Sequence, residues 1–224
     1  MNDWIQTTFG IAPTSLGQAA VDTLYMVGFS LLLGTLLAIP LALALALMRP
    51  GGIKENRVTH AVVNLVVNVI RSLPFIILMV VLMPFTKNVV GTRIGTTAAL
   101  VPLTVFIAPF MARLFESSIL EVPHGIVEAA QSMGASTWQI VRHFLLPEAR
   151  ASIVLALTTG TVSLVGATAM AGVIGAGGVG DLALTYGYQA FNTPLMVLTV
   201  IVLVLFVQAI QSAGNAVARR LRTH

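Results

Sequence analysis

The chain contains 224 residues, of which 57% are hydrophobic and only 9% are charged, and its formal net charge is +4. Soluble domains carry about 25% charged residues, so this composition excludes a water-soluble fold and indicates an integral membrane protein. The positive charge does not predict a nucleic-acid partner, because the cations are scattered between apolar runs rather than clustered. Cysteine is absent, which excludes a disulfide framework, a thiolate metal site and a cysteine nucleophile.

Five apolar stretches are long enough to cross the bilayer, since about 20 helical residues span its hydrocarbon core. They cover residues 23–48, 58–86, 94–112, 151–180 and 182–218, and the last stretch is densest in apolar residues over 195–210. Arg71, Ser72 and Pro74 interrupt the second stretch, which we still interpret as one span. The sequence therefore predicts an all-α polytopic membrane protein with five transmembrane helices and a loop that extends into the cytoplasm.

Lys and Arg concentrate in one set of alternate loops, and the positive-inside rule places that set in the cytoplasm. The other set holds only Lys87 and Arg93. The richer set contains Arg49, Lys54, Arg57, Arg113, Arg142, Arg150, Arg219, Arg220 and Arg222. We therefore predict an external N-terminal segment (residues 1–22), a membrane domain (23–218) and a cytoplasmic basic tail (219–224). The first twenty residues lack the basic start and apolar core of a cleavable signal peptide.

Residues 113–150 are too polar to cross the bilayer, yet apolar residues recur there at helical spacing. Pro123 and Gly125 break the chain, and a helix with inward apolar contacts that include Met133 should end at Gly134. Ser136 and Gln139 fit a capping box that begins a second helix, which runs to Pro147. The pattern predicts a helix, turn and helix at the membrane face; periodicity alone equally suits an amphipathic connector on lipid headgroups.

The same segment carries a long spaced motif. Its members, in chain order, are Glu128, Ala129, Ala130, Gly134, Phe144, Leu145, Leu146 and Pro147. This run resembles the EAA loop of ATP-binding-cassette importer permeases, with Phe144 where the family pattern has isoleucine. The resemblance implies that the segment is a coupling helix that docks on a cytoplasmic ATPase, with Glu128 to Ala130, Gly134, Leu146 and Pro147 as the coupling residues.

Further runs resemble the permeases of methionine importers and keep register from the first span to the last. They include residues 71–78, 83–86, 90–92, 101–104, 108–110, 175–178 and 186–188. The resemblance implies a homodimer in the bacterial inner membrane, two ATPase subunits that bind ATP and Mg²⁺, and an external methionine-binding protein. It also implies methionine as substrate, with the D-isomer as a further candidate; composition and spacing do not select this cargo.

Asn64, Asn68 and Arg71 recur at i, i+4 and i+7 and so share one helical face. An arginine inside a span is costly, so it usually faces a cavity or a partner. This face is a candidate for the transport pathway or for the dimer contact. Alternatively, the true span begins later and Arg71 extends to the cytoplasmic surface.

We predict no catalytic, metal or cofactor site in this chain, because it lacks a phosphate-binding loop and its histidines are far apart. The run 175–180 formally fits a dinucleotide fingerprint but follows a membrane span, so we interpret it as an external turn. Gly160, Gly166 and Gly172 predict close helix packing in the fourth span. The rival functions are a permease for another small solute and a carrier driven by an ion gradient, which leaves the EAA-like loop unexplained.

Overall fold

The computed structural model describes residues 10–222, and these form helices and connecting turns without a β-strand. The helices are α1 (Pro13–Met48), α2 (Arg57–Ser72), α3 (Phe75–Val90), α4 (Thr96–Leu120), α5 (His124–Ser132), α6 (Thr137–Ile140), α7 (Leu146–Ala171), α8 (Val179–Asp181) and α9 (Thr193–Arg222). π-Helical stretches at Val141–Leu145 and Leu182–Gln189 precede α7 and α9, and a 3-10 turn at Gly172–Ile174 follows α7. The predicted all-α class is confirmed.

Four helical runs in the described part of the chain are long and apolar enough to cross a membrane: Thr14–Met48, Thr96–Leu120, Thr137–Ile174 and Thr193–Arg222. They correspond to the predicted first, third, fourth and fifth spans, although only the first predicted span lies entirely within its run. The first run begins well before residue 23, so part of the predicted external segment is helical, while residues 1–9 lie outside the described residues. The third and fourth runs are joined by a turn at residues 175–178, α8 and the second π-helical stretch rather than by continuous helix.

The predicted second span is a bent pair of helices, α2 and α3, whose axes differ by 109°. Leu73 between them is extended, with φ −82° and ψ 128°. A residue that precedes proline is disfavoured in the helical conformation, and Pro74 therefore ends α2 here. α2 and α3 make a fifth crossing only if the pair is taken as one broken span.

α4 lies at the centre of the bundle. Its residues Leu103, Ile107 and Met111 are fully buried. A Cβ atom added at Gly34 of α1 would collide with Ile107, and one added at Gly160 of α7 would collide with Met111. The two outer helices therefore approach α4 closely because each presents a glycine at the contact. Close packing was predicted for Gly160, Gly166 and Gly172. It is confirmed for Gly160 and for Gly172, where a Cβ would collide with Asp181, but it is wrong for Gly166, which has open space beside it.

The glycine-rich turn at residues 175–178 packs on the start of α1, at the bundle end opposite α5. The Val179 N–H donates to Thr23 Oγ1 at 2.9 Å. Thr96 Oγ1 at the start of α4 donates to the Ala176 carbonyl oxygen at 2.8 Å. Gly178 has a φ of +95°, which side chains rarely adopt. The predicted turn is therefore close-packed and joins three helices at one end of the bundle.

Candidate functional site: the coupling segment and its supports

The end of α5 forms a Schellman motif at Gly134. Gly134 has a φ of +79°, a left-handed conformation that glycine adopts without strain. Its N–H donates to the Gln131 carbonyl oxygen at 2.9 Å, and the Ala135 N–H donates to the Ala130 carbonyl oxygen at 3.1 Å. These two bonds satisfy carbonyl groups that the helix end leaves free. The prediction that Gly134 ends the first helix is confirmed, and the chain reverses there.

The predicted capping box is present at the start of α6. Ser136 Oγ accepts from the Gln139 N–H at 3.4 Å, and Gln139 Oε1 accepts from the Ser136 N–H at 2.8 Å. The helix then continues through the π-helical stretch into α7. Pro147 lies in the first turn of α7, a position that tolerates the missing N–H of proline. The segment is therefore a helix, turn and helix, as predicted, but the second helix does not end at Pro147: it continues as the membrane helix α7. Gly125, expected to break the chain, instead lies in the first turn of α5.

The motif residues divide between two faces of this segment. Ala130 is fully buried and packs with Ile140, Val141 and Leu145 inside the same chain. Glu128, Ala129, Gly134, Leu146 and Pro147 are exposed. Only the first alanine is therefore available to another protein, while the second fixes α5 against α6 and α7.

Two large apolar side chains of this segment point outward. Met133 is 72% exposed and Trp138 is 64% exposed. They lie on either side of the turn at Gly134, next to exposed motif residues. Exposed aromatic and methionine side chains within a polar segment are typical of protein contact surfaces. Helical spacing could not identify them, because spacing shows which residues share a face but not which face is buried.

A cavity of about 330 Å³ lies between α5 and the end of α1. Its lining includes Glu128, Gln131 and His124 of α5, and Arg49 just after α1. Arg49 Nη2 is 3.3 Å from His124 Nε2. This contact joins the α1–α2 loop to the first residue of α5.

The carboxylate of Glu55 joins two parts of the α1–α2 loop. Glu55 Oε1 accepts from Arg57 Nε at 2.8 Å, and Glu55 Oε2 accepts from the Gly51 N–H at 3.0 Å. These two bonds lower the pKa of the Glu55 carboxyl below its usual value, because both donors favour the charged carboxylate. The bond from Arg57 contributes more than the bond from Gly51. Glu55 therefore joins the Gly51 turn of this loop to Arg57 at the start of α2.

Asn64 and Asn68 of α2 face Arg113 of α4 in the same chain. Arg113 Nη2 donates to Oδ1 of both asparagines, at 2.9 Å for Asn68, and Arg113 Nη1 donates to Glu116 Oε2 at 2.7 Å. Arg71, which we grouped with the asparagines, is exposed in the last turn of α2 and makes no hydrogen bond or ion pair to a described residue. The polar face therefore divides into an internal cluster and a separate cation. Its role as pathway or dimer contact stays a prediction.

These features define a helical membrane permease with an exposed helix–turn–helix segment at one end. A family described as "Binding-protein-dependent transport system inner membrane component" matches residues 34–223, and the chain belongs to it. It is a non-catalytic permease component of the inner membrane.

Individual relatives match almost the whole chain. "Probable D-methionine transport system permease protein MetI" of Vibrio cholerae serotype O1 is 48% identical over 213 residues, 95% of each chain. "Methionine import system permease protein MetP" of Bacillus subtilis is 40% identical over 204 residues, 91% of this chain and 92% of the relative.

A solved structure, described as "Inward facing conformations of the MetNI methionine ABC transporter", matches with a TM-score of 0.91 at 43% identity. The match covers 93% of this chain and 97% of that one. The arrangement of helices described above therefore belongs to a known permease fold.

Proposed function

We propose that this chain is the membrane permease of an ATP-driven importer of methionine, with D-methionine as a further candidate substrate. The observation that carries the proposal is the 48% identity over 95% of the chain to a permease named for D-methionine transport. The relative from Bacillus subtilis, named for methionine import, supports the same cargo.

The proposed partner at the α5–α6 end is a pair of ATP-binding-cassette ATPase subunits, which would bind ATP and Mg²⁺. The permease would hold no cofactor itself. Ala129 lets α5 approach another protein closely, and Glu128 can pair with a basic group. Met133 and Trp138, largely exposed here, would lose water contact on docking.

A second copy of the chain is proposed to complete the transport pathway. The described residues, 10–222, offer five crossings at most, which form a wall rather than an enclosed route. The end of the bundle that carries α5, α6 and most of the arginines (the arginine-rich end) would face the cytoplasm. The glycine-rich turn would face outward toward a methionine-binding protein. This orientation agrees with the positive-inside count and puts the coupling segment on the side where ATP is available.

Transport would proceed by alternating access. ATP binding closes the ATPase pair and moves the two coupling segments together, and the dimer opens outward to receive methionine. Hydrolysis and release return it to the inward-open state. The rigid contacts of α5, with α6 and α7 through Ala130 and with the α1–α2 loop through Arg49, would carry this movement into the spans.

Reconstituted vesicles test the proposal. The permease, its ATPase and its binding protein would be inserted together, and uptake of labelled methionine would be compared under ATP and under an imposed proton gradient. We expect uptake with ATP only. Uptake driven by the gradient without the ATPase would identify an ion-coupled carrier. ATP-driven uptake of another amino acid in preference to methionine would retain the transporter class and replace the cargo.

A further inference from the structure

A polar groove lies between α7 and α9, inside the membrane part of the bundle. Its volume is about 430 Å³. It is lined by Leu155, Thr158, Thr159, Val162, Ser163, Gln211 and Asn215. No charged side chain is among these residues. Asn215 is four residues before Arg219, or about 6 Å along the helix axis, so the groove lies in the half of the membrane nearest the arginine-rich end.

Gln211 and Asn215 lie just beyond the most apolar part of α9. The most apolar window of this helix, residues 193–210, has a mean hydropathy of 2.5, and only 11% of that window is buried within the chain. Both carboxamides are exposed, and neither makes a hydrogen bond to another described residue. Their N–H groups and oxygens are therefore free to bind water or a polar ligand.

The helix contact beside the groove makes it concave. A Cβ atom added at Gly214 would collide with the side chain of Thr158, so α7 and α9 touch closely at this point. Thr158 and Thr159 donate to carbonyl oxygens of their own helix, at 2.8 Å and 3.0 Å. Their hydroxyl oxygens can still accept hydrogen bonds. The groove therefore has a closely packed α7–α9 contact at its side and unused polar groups along its walls.

The chemistry of the groove suits a neutral zwitterion. Carboxamides offer both N–H donors for a carboxylate and oxygen acceptors for an ammonium group, and hydroxyl oxygens add further acceptors. Leu155 and Val162 provide apolar contact for an unbranched side chain. The volume falls within the range of about 300–1,000 Å³ typical of small-molecule sites. An anion or a cation with net charge would find no counter-charge in this lining.

We propose that the α7–α9 groove is a binding site for a zwitterionic amino acid on its route through the permease. The inference rests on the proposed function, because it takes methionine as the cargo. Gln211 and Asn215 bind the ammonium and carboxylate groups, and the apolar wall accepts the side chain. The face of a second copy is the alternative occupant, and the test below separates the two.

Accessibility labelling is the first measurement, and the chain has no native cysteine that would react with the reagent. Asn215→Cys and Ser163→Cys would be compared with Ala213→Cys, which lies at the same depth but points roughly 160° away from Gln211. In ATP-free complexes we expect a water-soluble thiol reagent to modify positions 215 and 163, and methionine to slow both reactions several-fold. Position 213 should show neither effect. Equal rates with and without methionine at 215 and 163 would overturn the proposal, as would a disulfide cross-link between two copies of the Asn215→Cys variant that leaves transport intact.

Transport kinetics are the second measurement. Gln211→Leu and Asn215→Leu retain side-chain bulk and remove hydrogen bonds, so each should raise the KM for methionine uptake about tenfold. Ala213→Leu is the control and should leave KM unchanged. If the unmodified complex imports methionine and both groove variants keep its KM, the groove assignment fails alone. If the unmodified complex does not import methionine, the proposed function fails instead.

Discussion

Arg113 of α4 fixes α2 against the bundle through Asn68, with Nη2 donating to Oδ1 at 2.9 Å. The same guanidinium donates to Asn64 and to Glu116, and Arg113 is 22% exposed while Glu116 is 11% exposed. Bonds from a charged donor are stronger than neutral ones. Because α2 has few other buried residues, this cluster is the main polar connection between the bent α2–α3 pair and the central helix.

A double-mutant cycle should measure this connection. Arg113→Met and Asn68→Ala should each lower the unfolding temperature, and together they should lower it by less than the sum. We expect an interaction energy of about 1 kcal/mol, typical of polar contacts between membrane helices. Arg71→Met, on the same helix but exposed and without a bonded partner among the described residues, is the matched control and should change stability by less than about 0.5 kcal/mol. Additive effects of the pair would contradict the assignment.

Substitutions in the coupling segment should separate hydrolysis from transport. Gly134→Leu places a side chain at a φ of +79°, where the strain is about 1–2 kcal/mol and the reversal must shift. Glu128→Lys inverts the charge on the exposed face of α5. Both variants should insert normally and hydrolyse ATP while importing less methionine per ATP.

Gly125→Ala is the control for the coupling segment. Gly125 lies in the same helix, has an ordinary helical φ, and a Cβ there would meet nothing within 4 Å. It should keep the native coupling ratio, and the substitution should stabilise the protein slightly. A Gly134→Leu complex that transports at the native rate per ATP would show that the reversal does not set coupling.

The capping box and the Gly134 helix end were predictable because both are local signals, in which the residues that bond lie within a few positions of each other. The break at Leu73 and Pro74 has a local cause too, yet a count of apolar residues treats the segment as one span. The bonds of Arg113 join residues 45 and 49 positions apart in the sequence. Neither spacing nor charge could reveal these bonds. In the sequence, Arg113 indicates only which side of the membrane its loop faces.

The faces of the coupling segment show the same limit. Ala129 and Ala130 are neighbours in the motif, yet one is exposed and the other is fully buried. Their division depends on how α5 docks on α6 and α7, which is a tertiary arrangement. Met133 and Trp138 are exposed for the same reason. Sequence reasoning therefore located the segment correctly but could not assign its outward surface.

The bond between Thr23 and Val179 should stabilise the end of the bundle opposite α5. Thr23→Val keeps the side-chain shape but removes the oxygen that accepts from the buried Val179 N–H at 2.9 Å. A buried donor left without a partner costs about 1–3 kcal/mol, so the unfolding temperature should fall. Thr23→Ser keeps the oxygen and should lose much less. Equal unfolding temperatures for the two variants would mean that water replaces the hydroxyl.

Gly160 and Gly166 provide a matched test of packing within α7. A Cβ at Gly160 would collide with the fully buried Met111 of α4, whereas one at Gly166 would meet nothing within 4 Å. Gly160→Ala should therefore destabilise the protein by about 1–3 kcal/mol, the usual cost of overpacking a core. Gly166→Ala should be neutral or stabilising, because alanine favours the helix by about 1 kcal/mol. Thermal unfolding in detergent measures both, and Met111→Val in the Gly160→Ala background should recover part of the loss. If both alanine variants were equally stable, Met111 would move aside freely and the α4–α7 contact would not depend on glycine.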